Sequence, residues 1–242
     1  MAQSIGMYPT IKKIKEELKA NADEKTKESG KRFFKEKIEL YGVKTGTVVK
    51  IANKYWKESA GKLGKEEVFA LCEELFKSDY CEEAFVVSTW VPKLAKQFEP
   101  ADLGIFRSWI DRYINNWAKC DGFCNHSIGD FMDMYPERVA DLKVWAKSKN
   151  RWMRRAAAVS LIVPAKRGRF LKDAFEIADI LLLDPDDMVQ KGYGWLLKEE
   201  SRKHQKEVFD YVVKHRKVMP RTALRYAIEL MPKEMRTEAM KK

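Results

Sequence analysis

Trp117 and Asp121 stand four residues apart in the stretch Tyr113-Ile114-Asn115-Asn116-Trp117-Ala118-Lys119-Cys120-Asp121. On a helix that spacing projects an indole and a carboxylate from one face. A carboxylate so placed can stabilise a developing cation or orient a water, and an indole face attracts positive charge. The same residues fit a plainer reading: a core tryptophan, followed by an aspartate that N-caps a helix starting near Phe123. Spacing alone leaves both open.

Two further stretches carry chemical promise. Asn150-Arg151-Trp152-Met153-Arg154-Arg155-Ala156-Ala157-Ala158 packs arginines at a helix start and then small residues. Guanidinium forks suit bidentate phosphate contacts, and small side chains permit close helix packing; a solvated basic helix end is the alternative. Val189-Gln190-Lys191-Gly192-Tyr193-Gly194-Trp195-Leu196-Leu197-Lys198-Glu199 holds two glycines inside a helical pattern, where each costs ~1 kcal/mol relative to alanine. Something must approach that helix closely, either a neighbouring helix or a ligand backbone.

The elements that would position these residues read as helices. In Glu66 to Phe76, Val68, Leu71, Cys72, Leu75 and Phe76 fall on one 3.6-residue face and leave Glu66, Glu67, Glu73 and Glu74 in water. Similar periodicity predicts helices over Thr10–Ala22, Lys31–Leu40, Thr47–Glu58, Cys81–Phe98, Ala101–Trp117, Phe123–Met134, Arg138–Ser148 and Arg151–Val163, then over Leu171–Leu183, Pro185–Glu200, Gln205–Lys214 and Pro220–Leu230. Strand signals are nearly absent. Helix pairs beginning near Ala101, Arg138, Leu171 and Gln205 recur about every 35 residues, a spacing found in HEAT-like repeats. The expected fold is therefore all-α, a right-handed superhelical solenoid of HEAT-like antiparallel helix pairs forming a single domain over residues 1–242, with an irregular helical bundle as the alternative. Lys166 to Arg169 reads as a longer exposed loop interrupting the stack.

Composition narrows the partner. Lys and Arg number 47 against 36 Asp and Glu, a net charge of +11, which favours a polyanion and above all nucleic acid. No apolar run approaches the ~20 residues of a membrane span, so no membrane partner is expected. Met1 to Pro9 lacks the features of a secretory leader, and a cytoplasmic location is the default expectation. Cys72, Cys81, Cys120 and Cys124 are too few for a disulfide scaffold. Cys120, Cys124 and His126 lie close together, yet a zinc site lacks its fourth ligand and second cluster. No phosphate loop, H-E-x-x-H or G-x-S-x-G motif occurs. No metal and no organic cofactor are expected.

Read in order, W-x3-D, then N-x-W-x-R-R-A-A, then Q-K-x-x-G-W-x-L-[RK]-E resemble the signature of the AlkD-type DNA alkylation repair family. Tyr41-Gly42-Val43-Lys44-Thr45 resembles that family's early loop, and the likeness covers about Phe33 through Ile228. The resemblance implies a DNA glycosylase that removes alkylated purines from double-stranded DNA. It implies Asp121 as catalytic carboxylate, Trp117 and Trp195 flanking the lesion nucleotide's sugar and backbone, and Arg155 holding a nearby phosphate. It also implies that selectivity comes from the lesion's lability rather than from a base pocket. Arg151, Arg154, Arg155, Lys191 and Lys198 are the leading phosphate candidates, with Lys44, Thr45 and Arg225 beside them. Lys198 stands where arginine is expected, keeping the charge and losing the planar fork. A monomer is the default. A non-catalytic DNA- or RNA-binding solenoid and a protein-binding scaffold are the rival readings.

Overall fold

Amphipathic periodicity becomes helix nearly throughout, and caps and prolines decide where each helix begins and ends. The computed structural model describes residues 7–241, so most of the Met1 to Pro9 stretch lies outside the described residues. The chain divides into two compact units at Phe123 and Cys124.

The first unit holds α1 (Met7–Ala20), α2 (Glu24–Lys31), α3 (Thr45–Glu58), α4 (Lys65–Lys77), α5 (Cys81–Trp90), α6 (Asp102–Tyr113) and α7 (Trp117–Phe123). Val68, Leu71, Cys72 and Leu75 of α4 are wholly buried, as the periodicity requires. The helix expected over Cys81–Phe98 stops at Trp90 and tightens into a 3-10 segment over Val91–Gln97, because Pro92 has no N–H to continue the α ladder. An aromatic cluster fills the centre: Phe123 meets Phe76, Phe106 and Trp109 at ring-centroid distances of 5.7–5.9 Å.

The helix expected over Lys31–Leu40 is not there. A helix forms earlier instead, at α2, where the Asp23 carboxylate accepts from the Thr26 N–H at 2.7 Å. The following residues are held by partners distant in sequence, which outweigh local helical preference. The Cys81 N–H donates to the Glu39 carbonyl at 3.0 Å within a parallel bridge between Glu39 and Tyr80. The buried Glu82 carboxylate accepts from the N–H groups of Tyr41, Gly42 and Val43 at 2.8–3.2 Å. Gly42 must be glycine: its φ is +94°, and a Cβ would lie 2.4 Å from the Asp23 carbonyl oxygen.

The second unit opens with a π-helical turn over Cys124–Ile128, then α8 (Gly129–Met134), α9 (Val139–Trp145), α10 (Arg151–Val159), α11 (Ile162–Lys166), α12 (Leu171–Leu181), α13 (Asp187–Glu200), α14 (Gln205–His215), α15 (Arg221–Ala227) and α16 (Lys233–Ala239). Among the described residues no helix is long and apolar enough to cross a membrane. Ala156, Ala157 and Ala158 are fully buried, so the small residues of α10 do serve close packing. The two glycines of α13 meet helices rather than open space. A Cβ at Gly194 would lie 2.7 Å from the Ala223 carbonyl of α15, and one at Gly192 would lie 3.3 Å from Arg155 Cγ of α10. The loop expected over Lys166 to Arg169 is short and tethered: Arg167 and Arg169 both pair with Asp133, and the Gly168 carbonyl sits 3.2 Å from His204 Nε2.

This packing sets two expectations for stability. Gly194→Ala should cost roughly 1–3 kcal/mol because the new methyl overpacks the α13–α15 contact, whereas Gly104→Ala on α6, with nothing within 4 Å, should gain up to ~1 kcal/mol from helix propensity; denaturant melts of the two variants should move in opposite directions. Glu200 is fully buried with no hydrogen-bond partner for either carboxylate oxygen among the described residues, and burial pushes its pKa from 4.5 up to about 8. Between those values unfolding releases a proton that the fold retains, so stability falls as pH rises through this window. Glu200→Gln should match the parent near pH 4 and exceed it increasingly towards about pH 8, by a gain on the order of a few kcal/mol; thermal melts across that range that show a constant difference would contradict the assignment.

Candidate active site and nucleic-acid interface

α7 presents Trp117 and Asp121 together because its opposite face is fixed four times over. The Asn116 carboxamide oxygen accepts from the Lys119 N–H at 3.0 Å and caps the helix start. Lys119 is 1% exposed, and its ammonium donates to the Asp79 carbonyl at 2.8 Å, the Asp79 carboxylate at 2.5 Å and Asn115 Oδ1 at 3.1 Å. Cys120 is buried, and Phe123 enters the aromatic cluster. Positions 116, 119, 120 and 123 thus form the inward stripe, and 117 and 121 fall on the outward face. Gly122 lets α7 lie close to α5, since a Cβ there would be 3.3 Å from Ser88 Oγ.

The plainer reading, a core tryptophan and a capping aspartate, does not describe this arrangement. Trp117 is half-buried at a pocket, not in the core, and Asp121 lies inside a helix rather than capping one. The pocket, ≈ 230 Å³, is lined by Trp117 together with Lys44 and Thr45 at the start of α3, so three residues expected at the site from separate stretches meet in one wall. Phe33, Phe34 and Phe85 add an aromatic lining. Phe34 stacks on Trp117 with centroids 5.1 Å apart and planes at 17°, and the indole Nε1–H donates to the Phe33 carbonyl at 3.3 Å. One indole face is therefore covered. Phe33 is 71% exposed beside it.

Sequence reasoning missed Phe33, Phe34, Glu82 and Lys119. The phenylalanine pair falls inside the helix expected over Lys31–Leu40, whereas its position at the site depends on the loop that Glu82 ties down. The tie is cooperative: Tyr41 donates its hydroxyl to Glu83 at 2.7 Å and stacks on Tyr80 at 4.0 Å. Burial, with this hydrogen bond, pushes the Tyr41 phenol upward, so it remains a donor. Burial likewise pushes the Cys81 thiol up to about 11, which leaves it an inert packing group.

In the second unit, Trp195 is half-buried on α13 and its Nε1–H donates to Glu199 at 3.1 Å. Burial opposes ionisation of Glu199, but the hydrogen bonds from Arg202 and Trp195 prevail and hold its pKa below the usual carboxylate value. The arginines of α10 face the acidic start of α13. Arg151 pairs with Asp186 at 2.8 Å and Arg154 with Asp184 at 2.6 Å, while Asp186 itself caps α13 through the Met188 and Val189 N–H groups. Arg155 is 5% exposed and donates to the Met188 carbonyl, so in this state it braces α13 from below Gly192 instead of reaching outward to a phosphate. Lys191 pairs with Asp187 at 3.3 Å and Lys198 with Glu229 at 3.2 Å. Each cation expected to grip phosphate from this unit's motifs already has an acceptor. Lys44, in the first unit, is exposed.

Among the described residues no group of three or more His, Cys, Asp or Glu side chains is placed to hold a metal ion. No curated protein sequence matches the chain. Among solved structures, one described as a predicted DNA alkylation repair enzyme from Enterococcus faecalis superposes with a TM-score of 0.78 at 15% identity, covering 88% of this chain and 98% of that one; at that identity the likeness speaks for a shared all-α fold. The family model for DNA alkylation repair enzymes matches residues 14–231, which takes in both units and every candidate residue named above. The chain belongs to the DNA alkylation repair enzyme family.

Proposed function

We propose that this family member is a DNA glycosylase that hydrolyses the N-glycosidic bond of cationic alkylated purines, of the 3-methyladenine and 7-methylguanine type, in double-stranded DNA. The observation that carries the reading is the outward face of α7, where Trp117, four residues from Asp121 on the same helix, lines a pocket together with Lys44 and Thr45.

An N3- or N7-alkylated purine already carries positive charge, so the bond to C1′ breaks with its electron pair leaving on the base and little protonation is needed. The protein's task is the sugar. As C1′ becomes oxocarbenium-like, Asp121 stabilises the cation and orients the water that adds to C1′, taking up the proton the water loses. Trp117 and Trp195 are assigned to flank the sugar and its phosphates, where an indole contributes on the order of 0.5–2 kcal/mol of cation–π attraction depending on desolvation. For Trp117 only the face not covered by Phe34 can do so. Arg151, Arg154, Lys191 and Lys198 would reach phosphate by exchanging their present carboxylates for it, and Arg155 would act through the position of α13. The protein works as a monomer in the cytoplasm without cofactor under this reading.

Release of 7-methylguanine and 3-methyladenine from methylated duplex, measured above the spontaneous background, should fall by about 100-fold or more in Asp121→Asn while duplex binding persists. Equal release by the two proteins would remove Asp121 from the chemistry. Duplex affinity should also fall steeply between low and moderate salt, with a slope of about 0.9 per phosphate contacted; a flat salt response would count against a DNA interface built on these cations.

A further inference from the structure

α15, the turn that follows it and α16 line an open cleft of ≈ 640 Å³ in which Arg225 is the one phosphate candidate already named. Its floor is apolar, with Ile228 buried and Met240 half-buried. Its rim is cationic, carrying Arg225 from α15 and Lys233, Arg236 and Lys241 from the α16 segment.

Charge matching sets this rim apart from the phosphate candidates on α10 and α13. Arg151, Arg154, Lys191 and Lys198 each face a carboxylate. At the cleft the acids are already engaged: Glu229 by Lys198 at 3.2 Å, and Glu238 by Arg216 at 3.1 Å and by Lys241. Among the described residues, the side chains of Arg225, Lys233 and Arg236 have neither a hydrogen bond nor an ion pair. Unmatched cations around a concave, partly apolar depression focus a positive potential and favour an anion there.

The apolar floor says which anion. A small inorganic ion would satisfy the rim and leave the half-buried Met240 facing water, whereas a phosphodiester brings a sugar to the floor as its oxygens meet the guanidinium forks. The cleft is also mechanically joined to the helix that carries Trp195. Gly194 of α13 packs backbone-close on Ala223 and Tyr226 of α15, and Lys198 lies 5.8 Å from the Tyr226 ring centre while holding Glu229 on the cleft rim. We propose that this cleft seats a phosphodiester of duplex DNA through Arg225, Arg236 and Lys233, extending the DNA contact beyond α13 with cations that need displace no carboxylate. The proposal rests on the reading of the chain as a DNA-binding enzyme and does not depend on base release.

Binding of fluorescein-labelled, unmodified duplex to the full chain, titrated by anisotropy at several salt concentrations, tests it. Arg225→Gln/Arg236→Gln should raise Kd about tenfold or more and lower the slope of log K against log salt by roughly 1.8, about 0.9 for each phosphate released from the protein's grip. Lys233→Gln, on a separate element, should lower the slope by roughly 0.9 alone. Lys13→Gln/Lys19→Gln, which removes the same charge from the exposed side of α1, should leave the slope at the parent value. A cleft variant that keeps the parent affinity and slope overturns the proposal, as does a loss equalled by the α1 control, which would trace the effect to net charge. If the parent binds duplex in this way but releases no alkylated base, the glycosylase reading fails and the cleft assignment stands.

Discussion

A buried ammonium holds the candidate site in place. Lys119 lies on the inner face of α7, two residues from Trp117 and two from Asp121, and its three acceptors all come from Asp79 and Asn115. Asp79 adopts a left-handed backbone, φ 67°, which suits a short polar residue better than a bulky one. Removing the Asp79 carboxylate leaves a desolvated ammonium with less compensation, a larger penalty than the pair's own net worth. The contact therefore contributes register more than stability. It fixes which face of α7 is inside, and so fixes that an indole and a carboxylate are outside.

The second unit solves a different problem, the concentration of like charge. Arginines at the start of α10 would repel one another and any neighbouring cation, and the acidic start of α13 offsets them directly through Asp184 and Asp186. Asp186 also caps α13 and favours its positive N-terminal end, and Asp184 accepts from the Asp186 N–H at 2.9 Å. A phosphate arriving at these arginines meets guanidinium groups already oriented, at the expense of the ion pairs that oriented them. Exposed pairs of this kind are worth ~0–1 kcal/mol each, so exchange is inexpensive for Arg151, which is partly exposed, and harder for Arg154 against the nearly buried Asp184.

What the sequence disclosed and what it withheld divide along one physical line. Features set within one helical turn were legible: the buried stripe of α4, the shared face of Trp117 and Asp121, the glycines of α13 as marks of close approach, the alanines of α10 as packing residues. Features set by partners distant in the chain were not. The segment around Phe33 and Phe34 carries an apolar pattern that reads as helix, yet Glu82 claims the backbone of Tyr41 and Gly42 beyond it, some 40 positions away in the chain, and the Phe34 ring stacks on Trp117. The burial of Arg155 was hidden for the same reason, because three arginines within five positions look alike until Gly192 of another helix shows which one it admits.

Phe34 gives the site its asymmetry. With one face of Trp117 stacked and its N–H donated to the Phe33 carbonyl, the indole is held by its own protein before any substrate arrives, and its rotamer entropy is already spent. A fixed π surface of this kind suits a reaction whose charge develops on the sugar, because an electrostatic partner helps most when it need not reorganise as the bond breaks. It suits less well a mechanism that must first wrap a base in a closing pocket. The rigid tie from Glu82 through the Tyr41 loop, the buried Lys119 and the stacked Phe34 all lower the freedom of the same wall, and that rigidity would suit the proposed reaction, whose leaving group arrives already charged.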